Sequence, residues 1–365
     1  MRLLLLSNGH GEDAIGALLV PALRAQGFEP HALPIVGAGH AYRALDVPLV
    51  GPTRTMPSGG FVYGRPAALA GDLRAGLARL TAAQVQALRA ARGAYPWVLA
   101  IGDVVPLLFA WRYGAPFAFV GCAKSDHYLG GRPGAYLPIE RWLLRRPACR
   151  AVWPRDAITT RNLRAAGVAA DWLGNPMMDG LVPTGQPLPG DPDAPTVLLL
   201  PGSRAEAGAN LQLLRAAARA IAADEPRTRF LVALAPQADP ADFGAPELHL
   251  LPGRFADAAH AAQLALAMAG TATEQVVGLG LPVISLPGAG PQFTPAFAEA
   301  QTRLLGESVT LLPADPVRVA AEARALLADP ERLARIAANG RARMGPPGAG
   351  ARIAAALAQL TASAP

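Results

Sequence analysis

The second half of this 365-residue chain contains a strand-to-helix loop whose residue types could bind phosphate. Gly202, Ser203 and Arg204 follow a predicted strand at 197–200 and precede a predicted helix at 209–223. Free backbone N–H groups at a helix start attract anions, and a guanidinium forms forked hydrogen bonds with phosphate oxygens. The loop predicts an anion site, although an ordinary corner between a strand and a helix could have the same composition.

A second loop in this half combines small residues with a carboxylate. Gly270 and Thr271 follow a predicted strand at 264–268, and Glu274 lies in the first turn of the next predicted helix. A carboxylate at that position could accept hydrogen bonds from both hydroxyls of a ribose, or it could simply stabilise the helix dipole. Together the two loops predict a nucleoside diphosphate site, and Gln292, in a later loop, could contact the base or the sugar.

The first half contains two candidate groups for proton transfer. Asp103 follows a predicted strand at 97–101, where it could take a proton from an acceptor hydroxyl or cap the following helix. His10 lies between Gly9 and Gly11 in the loop after the first strand, where it could act as a base, contact an acceptor or remain solvated. We expect Asp103 to be the base, with His10 as the second candidate.

Several other site classes are not indicated. The Gly9-x-Gly11 pair lacks the third glycine of a dinucleotide fingerprint, because Ala14 follows instead. The six histidines show no paired ligand spacing, so no metal is predicted, and no other cofactor is indicated. No dense basic run with interleaved aromatic residues is present, which argues against a nucleic-acid partner.

The elements that must position these residues alternate between apolar strands and amphipathic helices, which predicts parallel sheets covered on both faces. A Pro- and Gly-rich stretch at 181–195 separates two such series. We therefore predict an α/β protein with an N-terminal domain at 1–180, a C-terminal domain at 196–345 and a last helix within 346–365 that packs back on the first domain. The predicted strands are 2–6, 32–36, 97–101, 117–120, 151–153, 171–173, 197–200, 230–235, 248–251, 264–268, 283–286 and 309–312. Further helices are predicted at 273–279, 295–304, 316–328 and 330–339.

Composition and charge indicate the partners and the compartment. Hydrophobic residues make up 52% of the chain and the formal net charge is +6, which favours phosphates, nucleotides or an acidic membrane surface. Two cysteines outside any CxxC pair, and an N-terminal apolar run too short for a signal peptide, favour the cytoplasm. Residues 138–146, PIERWLLRR, could lie on an acidic bilayer or form an ordinary helix that buries Trp142 and Leu143. The 56–63 loop, MPSGGFVY, is a second candidate for contact with lipid.

Four motifs in the same order resemble those of one family. The chain reads IGD at 101–103, GNPMMD at 174–179, LLLPGSRAE at 198–206 and AGTATE at 269–274. This set resembles the lipid-A-disaccharide synthase family, in particular a branch described as related to it, and more distantly the peptidoglycan N-acetylglucosaminyltransferase. The resemblance implies a GT-B glycosyltransferase, in which two Rossmann-like domains with parallel sheets face each other across a cleft.

The resemblance also implies how the two halves divide the chemistry. A UDP-sugar would bind the second half, and a glycan or glycolipid acceptor would bind the first. Contact with the inner face of a membrane stays an open alternative. The family transfers its sugar by direct displacement with inversion and without a metal. The residues expected at the acceptor are Asn8, Gly9, Gly11, Glu12 and Asn175. The acceptor half departs from the family pattern at 7–13 and 121–127, whereas the donor half keeps it.

Two other functions fit the same architecture. A UDP-sugar 2-epimerase would need acid and base groups around C2 of the sugar and no acceptor pocket. A non-catalytic nucleotide-sugar binder would need only the donor site. The oligomeric state is open at this point.

Overall fold

The protein is described here from a computed structural model that covers residues 1–56, 66–203, 206–288 and 293–363. The chain divides into two compact units, the first formed by Met1–Asp179 with Pro347–Pro365 and the second by Gly180–Pro346. Among the described residues, no helix is both long enough and apolar enough to cross a bilayer.

The first unit is built on a five-stranded, entirely parallel sheet with the strand order β2-β1-β3-β4-β5. Leu3, Leu4, Leu5 and Leu6 of the first strand are fully buried, as a strand covered on both faces requires. The strands are β1 (Arg2–Ser7), β2 (Glu29–Pro34), β3 (Trp97–Ile101), β4 (Phe117–Gly121) and β5 (Cys149–Pro154). The helices are α1 (His10–Ala25), α2 (His40–Arg43), α3 (Pro66–Arg74), α4 (Leu77–Ala90), α5 (Val104–Tyr113), α6 (Pro138–Leu144) and α7 (Ala157–Ala165), with 3-10 turns at Asp126–Leu129 and Pro176–Met178.

The second unit contains a six-stranded parallel sheet with the order β11-β10-β9-β6-β7-β8. Its strands are β6 (Thr196–Leu200), β7 (Arg229–Leu234), β8 (His249–Pro252), β9 (Leu264–Ala267), β10 (Val283–Ser285) and β11 (Val309–Leu311). Its helices are α8 (Ala207–Asp224), α9 (Phe255–Ala261), α10 (Thr271–Leu279), α11 (Pro295–Leu305), α12 (Pro316–Leu327) and α13 (Pro330–Met344), with 3-10 turns at Pro240–Phe243 and Gly306–Ser308. The prediction of an α/β protein with two parallel-sheet domains is confirmed.

The chain then returns to the first unit as α14 (Ala349–Ala362), which packs against α1. The carboxylate of Asp179 accepts hydrogen bonds from the backbone N–H groups of Gly348, Ala349 and Gly350 at distances of 2.6–3.1 Å. Because an anion at a helix N-terminus pairs with its free donors, this one side chain anchors the start of the last helix.

Residues 181–195 form neither helix nor strand. The segment is attached to α9 of the second unit, since Asp257 accepts hydrogen bonds from the backbone N–H and the hydroxyl of Thr184. Arg254 also donates to the carbonyl oxygens of Gln186 and Pro187.

Two sequence-based strand predictions differ from the structure. The predicted strand at 171–173 is wrong: the chain makes one bridge, between Val152 and Ala170, and then leaves the sheet for the Pro176–Met178 turn. The second strand begins at Glu29 rather than at residue 32. Its two prolines are accommodated because β2 is an edge strand, where a missing N–H breaks no interior ladder.

Candidate functional site

The two predicted phosphate loops leave the same edge of the second sheet. Strands β6 and β9 are parallel neighbours in which Leu200 pairs with Ala267, and the N–H of Met268 donates to the carbonyl oxygen of Leu200 at 2.8 Å. Gly202 has a φ of +92°, and a Cβ there would lie 3.3 Å from the carbonyl oxygen of Met268. The turn thus requires glycine, which both tolerates this φ and lets the loops approach each other.

Each loop leads into a helix whose N-terminus has no side-chain cap. The N-cap residues of α8 and α10 are Glu206 and Gly270, and neither side chain caps its helix. In the same unit α9 also lacks a side-chain cap, whereas Thr294, Asp315 and Asp329 cap α11, α12 and α13 with side-chain oxygens. Among the described residues, no N-cap side chain therefore occupies the first backbone N–H groups of α8 and α10, which are the groups that bind an anion at a helix N-terminus.

Two buried amides and a hydroxyl hold these loops in place. The Gln301 side chain donates to the carbonyl oxygens of Ala269 and Gly270 at 3.2 and 3.0 Å, and the Thr273 hydroxyl donates to Ala269 at 2.6 Å. The amide of Asn210 donates to the carbonyl oxygen of Pro201 at 3.0 Å. The sequence analysis missed Gln301 and Asn210; the only signal for them is a buried polar residue on the apolar face of its helix.

The remaining predicted donor residues lie around these loops. Glu274 is buried in the first turn of α10, whereas Ser203 and Thr271 are exposed. Arg204 and Gln292 lie outside the described residues. A third loop, after β10, approaches the same place, because a Cβ on Gly288 would lie 3.1 Å from the Asn210 side-chain oxygen.

A cavity of about 400 Å³ opens beside the first loop, at the carboxyl ends of β6 and β7. Its volume falls in the range of small-molecule sites. Its lining combines the loop with apolar and acidic side chains, namely Gly202, Ser203, Leu234, Gln237, Asp239, Asp242 and Phe243.

At the corresponding edge of the first sheet, Asp103 is buried and hydrogen-bonded. Its carboxylate accepts from the N–H of Val105 at 2.8 Å and so caps α5, and it also accepts from the Asn8 side chain at 3.3 Å. Asn8 and Asp103 follow the neighbouring strands β1 and β3. Burial raises the pKa of Asp103 above its usual value, while these hydrogen bonds and the charge of Lys124 oppose the rise. The Asp103 carboxylate thus caps α5 and also has a raised pKa.

Two further carboxyl groups lie on the first turn of α1. Burial raises the pKa of Glu12 to about 7, and the nearby charges of Asp103 and Asp13 add to the rise. Burial likewise raises the pKa of Asp13 to about 7, although the Ser7 hydroxyl donates to it at 2.6 Å. Asp13 does not cap α1, because the N-cap is Gly9 and the Asp13 carboxylate accepts from the Ser7 hydroxyl. Near neutral pH these groups can both accept and release protons.

A buried ion pair lies close enough to Asp103 for both of its charges to affect the pKa of that carboxylate. Lys124 and Glu140 are 2.6 Å apart, with side-chain exposures of 13% and 0%, and the ammonium also lies 5.9 Å from the centre of the Tyr136 ring. The Tyr136 hydroxyl points toward Gly121 at the end of β4, where a Cβ would lie 2.1 Å from it. Sequence analysis did not select these residues, because their pairing joins positions distant along the chain.

Several buried polar atoms at this edge have no hydrogen-bond partner among the residues that the structure describes. They include Asn8 Oδ1, Asp13 Oδ2 and the Tyr136 hydroxyl, and Asn175 Nδ2 lies beside the Pro176–Met178 turn, which packs on α1. Buried polar atoms normally have a hydrogen-bond partner, so a group of such atoms without one indicates a place for a ligand or water. Of the other predicted acceptor residues, Gly9 is the N-cap with a φ of +108°, and Gly11 and His10 are exposed. His10 makes no hydrogen bond with any described residue.

The described part of the chain contains no group of His, Cys, Asp and Glu side chains able to hold a metal ion. The cysteines at positions 122 and 149 are both free.

The architecture is that of GT-B proteins, the class that includes nucleotide-sugar glycosyltransferases and UDP-N-acetylglucosamine 2-epimerases. Among solved structures, the calicheamicin glycosyltransferase CalG4 superimposes with a TM-score of 0.69 at 18% identity, over 100% of this chain and 99% of its own. MurG of Acinetobacter baumannii gives 0.58 at 16%, covering 98% and 99%. The UDP-GlcNAc 2-epimerase of Neisseria meningitidis bound to UDP-GlcNAc gives 0.60 at 14%, covering 98% and 100%.

No protein-family model matches the chain. No curated protein matches it either. The comparisons therefore support the GT-B fold that the motif resemblance implies.

Proposed function

We propose that the protein is an inverting, metal-independent glycosyltransferase that moves a sugar from a UDP-sugar to a hydroxyl of a glycan or glycolipid acceptor. The transferred sugar would be an N-acetylglucosamine derivative, as in the lipid-A-disaccharide synthase family that the motifs resemble. We assign donor binding to the second unit and acceptor binding with proton removal to the first.

The observation that carries this proposal is the pair of uncapped helix starts at one sheet edge. Helices α8 and α10 begin beside the loops at Gly202–Ser203 and Gly270–Thr271, which leave neighbouring strands, and within the described part of the chain neither helix has its N-cap side chain bonded to its first N–H groups. Such donors stabilise the charge that develops on a departing diphosphate. Glu274, buried one turn into α10, would accept from the ribose hydroxyls. Arg204, whose side chain is proposed to contact the same phosphates, would add a formal positive charge.

In the transfer step, the acceptor oxygen forms a bond to C1 of the sugar while the bond from C1 to the phosphate oxygen breaks. The acceptor proton passes to the base, and UDP leaves with the electron pair of the broken bond. Asp103 is the proposed base, because it is buried, held by Val105 and Asn8, and has a raised pKa. His10 remains the second candidate.

A UDP-sugar 2-epimerase is the second candidate function. Glu12, Asp13 and Asp103 form a group of carboxyls with raised pKa values, which could remove and return a proton at C2 of a bound sugar. The fold is also similar to that of a UDP-GlcNAc 2-epimerase whose structure contains UDP-GlcNAc, which is compatible with this second function.

Product analysis separates the two reactions. Purified protein is incubated with UDP-GlcNAc alone and with UDP-GlcNAc plus a bacterial membrane-lipid extract, and the products are followed by mass spectrometry and proton NMR. A transferase releases UDP and forms a glycosylated lipid or glycan only when the extract is present. Formation of the C2 epimer without the extract would identify an epimerase instead.

The proposed compartment is the cytoplasm, at the inner face of a membrane when the acceptor is a lipid. Both cysteines are free, as a reducing compartment allows.

A further inference from the structure

The net positive charge of the protein is concentrated in one segment of the first unit. Residues 77–155 contain eleven basic and three acidic residues, a net charge of +8, whereas the rest of the chain has a net charge of −2. The three acids, Asp103, Asp126 and Glu140, are buried. The segment, all of which is described, therefore exposes arginines and no carboxylate.

The same segment exposes large apolar side chains on two adjacent helices. Leu108 and Trp111 lie one turn apart on α5, Ile139 and Trp142 lie one turn apart on α6, and each is 37–48% exposed. The Trp111 and Trp142 rings meet edge to face with their centroids 5.6 Å apart, so the two helix surfaces are continuous. We call these four residues the tryptophan face.

Guanidinium groups lie beside both tryptophans of the tryptophan face. Arg146 lies over the Trp142 ring, 3.7 Å from its centroid. A mainly apolar cavity of about 220 Å³ lies beside Trp111, where α4 meets α5. Arginines from both helices reach this cavity, whose lining is Val85, Leu88, Arg89, Arg92, Leu108, Phe109, Trp111, Arg112 and Tyr113.

We propose that the tryptophan face and its arginines dock the protein on a bilayer that contains anionic lipids. Indole rings favour the boundary between headgroups and acyl chains, where one side of the ring is apolar and the other polar. Leu108 and Ile139 would enter the same layer, while Arg112, Arg145 and Arg146 would bind lipid phosphates. The cavity beside Trp111 would accept part of an acyl chain.

The charge pattern favours a membrane over a second copy of the chain as the occupant. A symmetric contact would bring this surface against itself and place two sets of arginines together. An anionic bilayer supplies both the apolar layer and the complementary charge, worth about 1 kcal/mol per basic residue near the surface. The docking proposal stands on this surface alone and does not depend on the reaction, although it fits a glycolipid acceptor.

Vesicle co-sedimentation tests the proposal. The protein is expected to sediment with vesicles of phosphatidylcholine mixed with phosphatidylglycerol, to bind pure phosphatidylcholine much more weakly, and to be released by salt. The double variant Arg145→Gln/Arg146→Gln should reduce the partition coefficient about thirtyfold, the equivalent of about 1 kcal/mol per arginine. The double variant Trp111→Ser/Trp142→Ser should reduce it at least as much.

The matched control is Val317→Ser/Arg318→Gln, which removes an exposed apolar side chain and a neighbouring arginine from α12 of the second unit. It should bind vesicles like the unmodified protein. UDP titration and thermal unfolding of every variant separate lost docking from lost folding or a lost donor site. The proposal is overturned if the unmodified protein does not bind anionic vesicles, or if both the arginine and the tryptophan double variants bind them as the unmodified protein does. It is also overturned if the protein is a stable dimer that the tryptophan double variant converts to monomers.

Discussion

Replacing Asp103 by Asn is expected to lower kcat for sugar transfer by about 10²–10⁴-fold, the usual contribution of a positioned general base. The substitution keeps the size of the side chain and its cap on α5, since Asn caps helices as well as Asp does. It removes the charge and the ability to accept the acceptor proton, and it also changes the contact with the Asn8 side chain. The measurement is the rate of UDP release from UDP-GlcNAc in the presence of the lipid extract.

The pH profile provides an independent check on the same residue. A base acts in its deprotonated form, so kcat should fall as the pH drops through the pKa of Asp103. Because burial raises that pKa, the fall should occur at a higher pH than for an ordinary aspartate. The Asn variant should lose this limb from its residual activity. If Asp103→Asn keeps full activity and His10→Ala abolishes it, the base is His10 and our assignment is wrong.

The second large effect is expected in UDP binding by Glu274→Gln. The neutral amide keeps the shape of the side chain and loses the charge that strengthens hydrogen bonds from ribose hydroxyls. Hydrogen bonds to charged groups contribute about 1.5–3 kcal/mol, so the Kd for UDP should rise about ten- to hundredfold. Calorimetric titration with UDP measures this change directly.

The matched control for this variant is Glu299→Gln, on the exposed face of α11 in the same unit. It makes the same chemical change away from the two loops and should bind UDP like the unmodified protein. If the Glu274→Gln protein binds UDP as tightly as the unmodified protein, Glu274 is not part of the donor site.

The sheets could be predicted from sequence because a parallel strand buried on both faces is a short, continuous apolar run. Leu3–Leu6 and the strand at 196–200 show this pattern directly, and glycines after them indicate the loops that lead into helices. The stretch at 171–173, Asp-Trp-Leu, is apolar at two of its three positions and precedes a glycine, yet only the residue before it, Ala170, forms a bridge to the sheet. Local composition does not show whether the neighbouring strand extends far enough to pair with such a stretch.

The polar contacts within the candidate sites could not be predicted in this way. Asn8 and Asp103 are 95 residues apart, and Gln301 is 32 residues from the carbonyl oxygen of Ala269. The periodicity of apolar residues predicts which face of a helix is buried. It does not predict which distant group forms a hydrogen bond with a buried amide on that face. Periodicity also did not predict which side chains of 138–146 are buried. The ordinary-helix alternative expected both Trp142 and Leu143 to be buried, but only Leu143 is, and Trp142 is half-exposed.

The most direct test of the central claim is a crystal structure of the protein with UDP bound. The claim is that the starts of α8 and α10 together bind the two phosphates. We expect phosphate oxygens about 3 Å from backbone N–H groups in the first turns of both helices, and the ribose hydroxyls hydrogen-bonded to Glu274. UDP bound instead at the Asn8–Gly9 loop of the first unit, with both helix starts facing solvent, would contradict it.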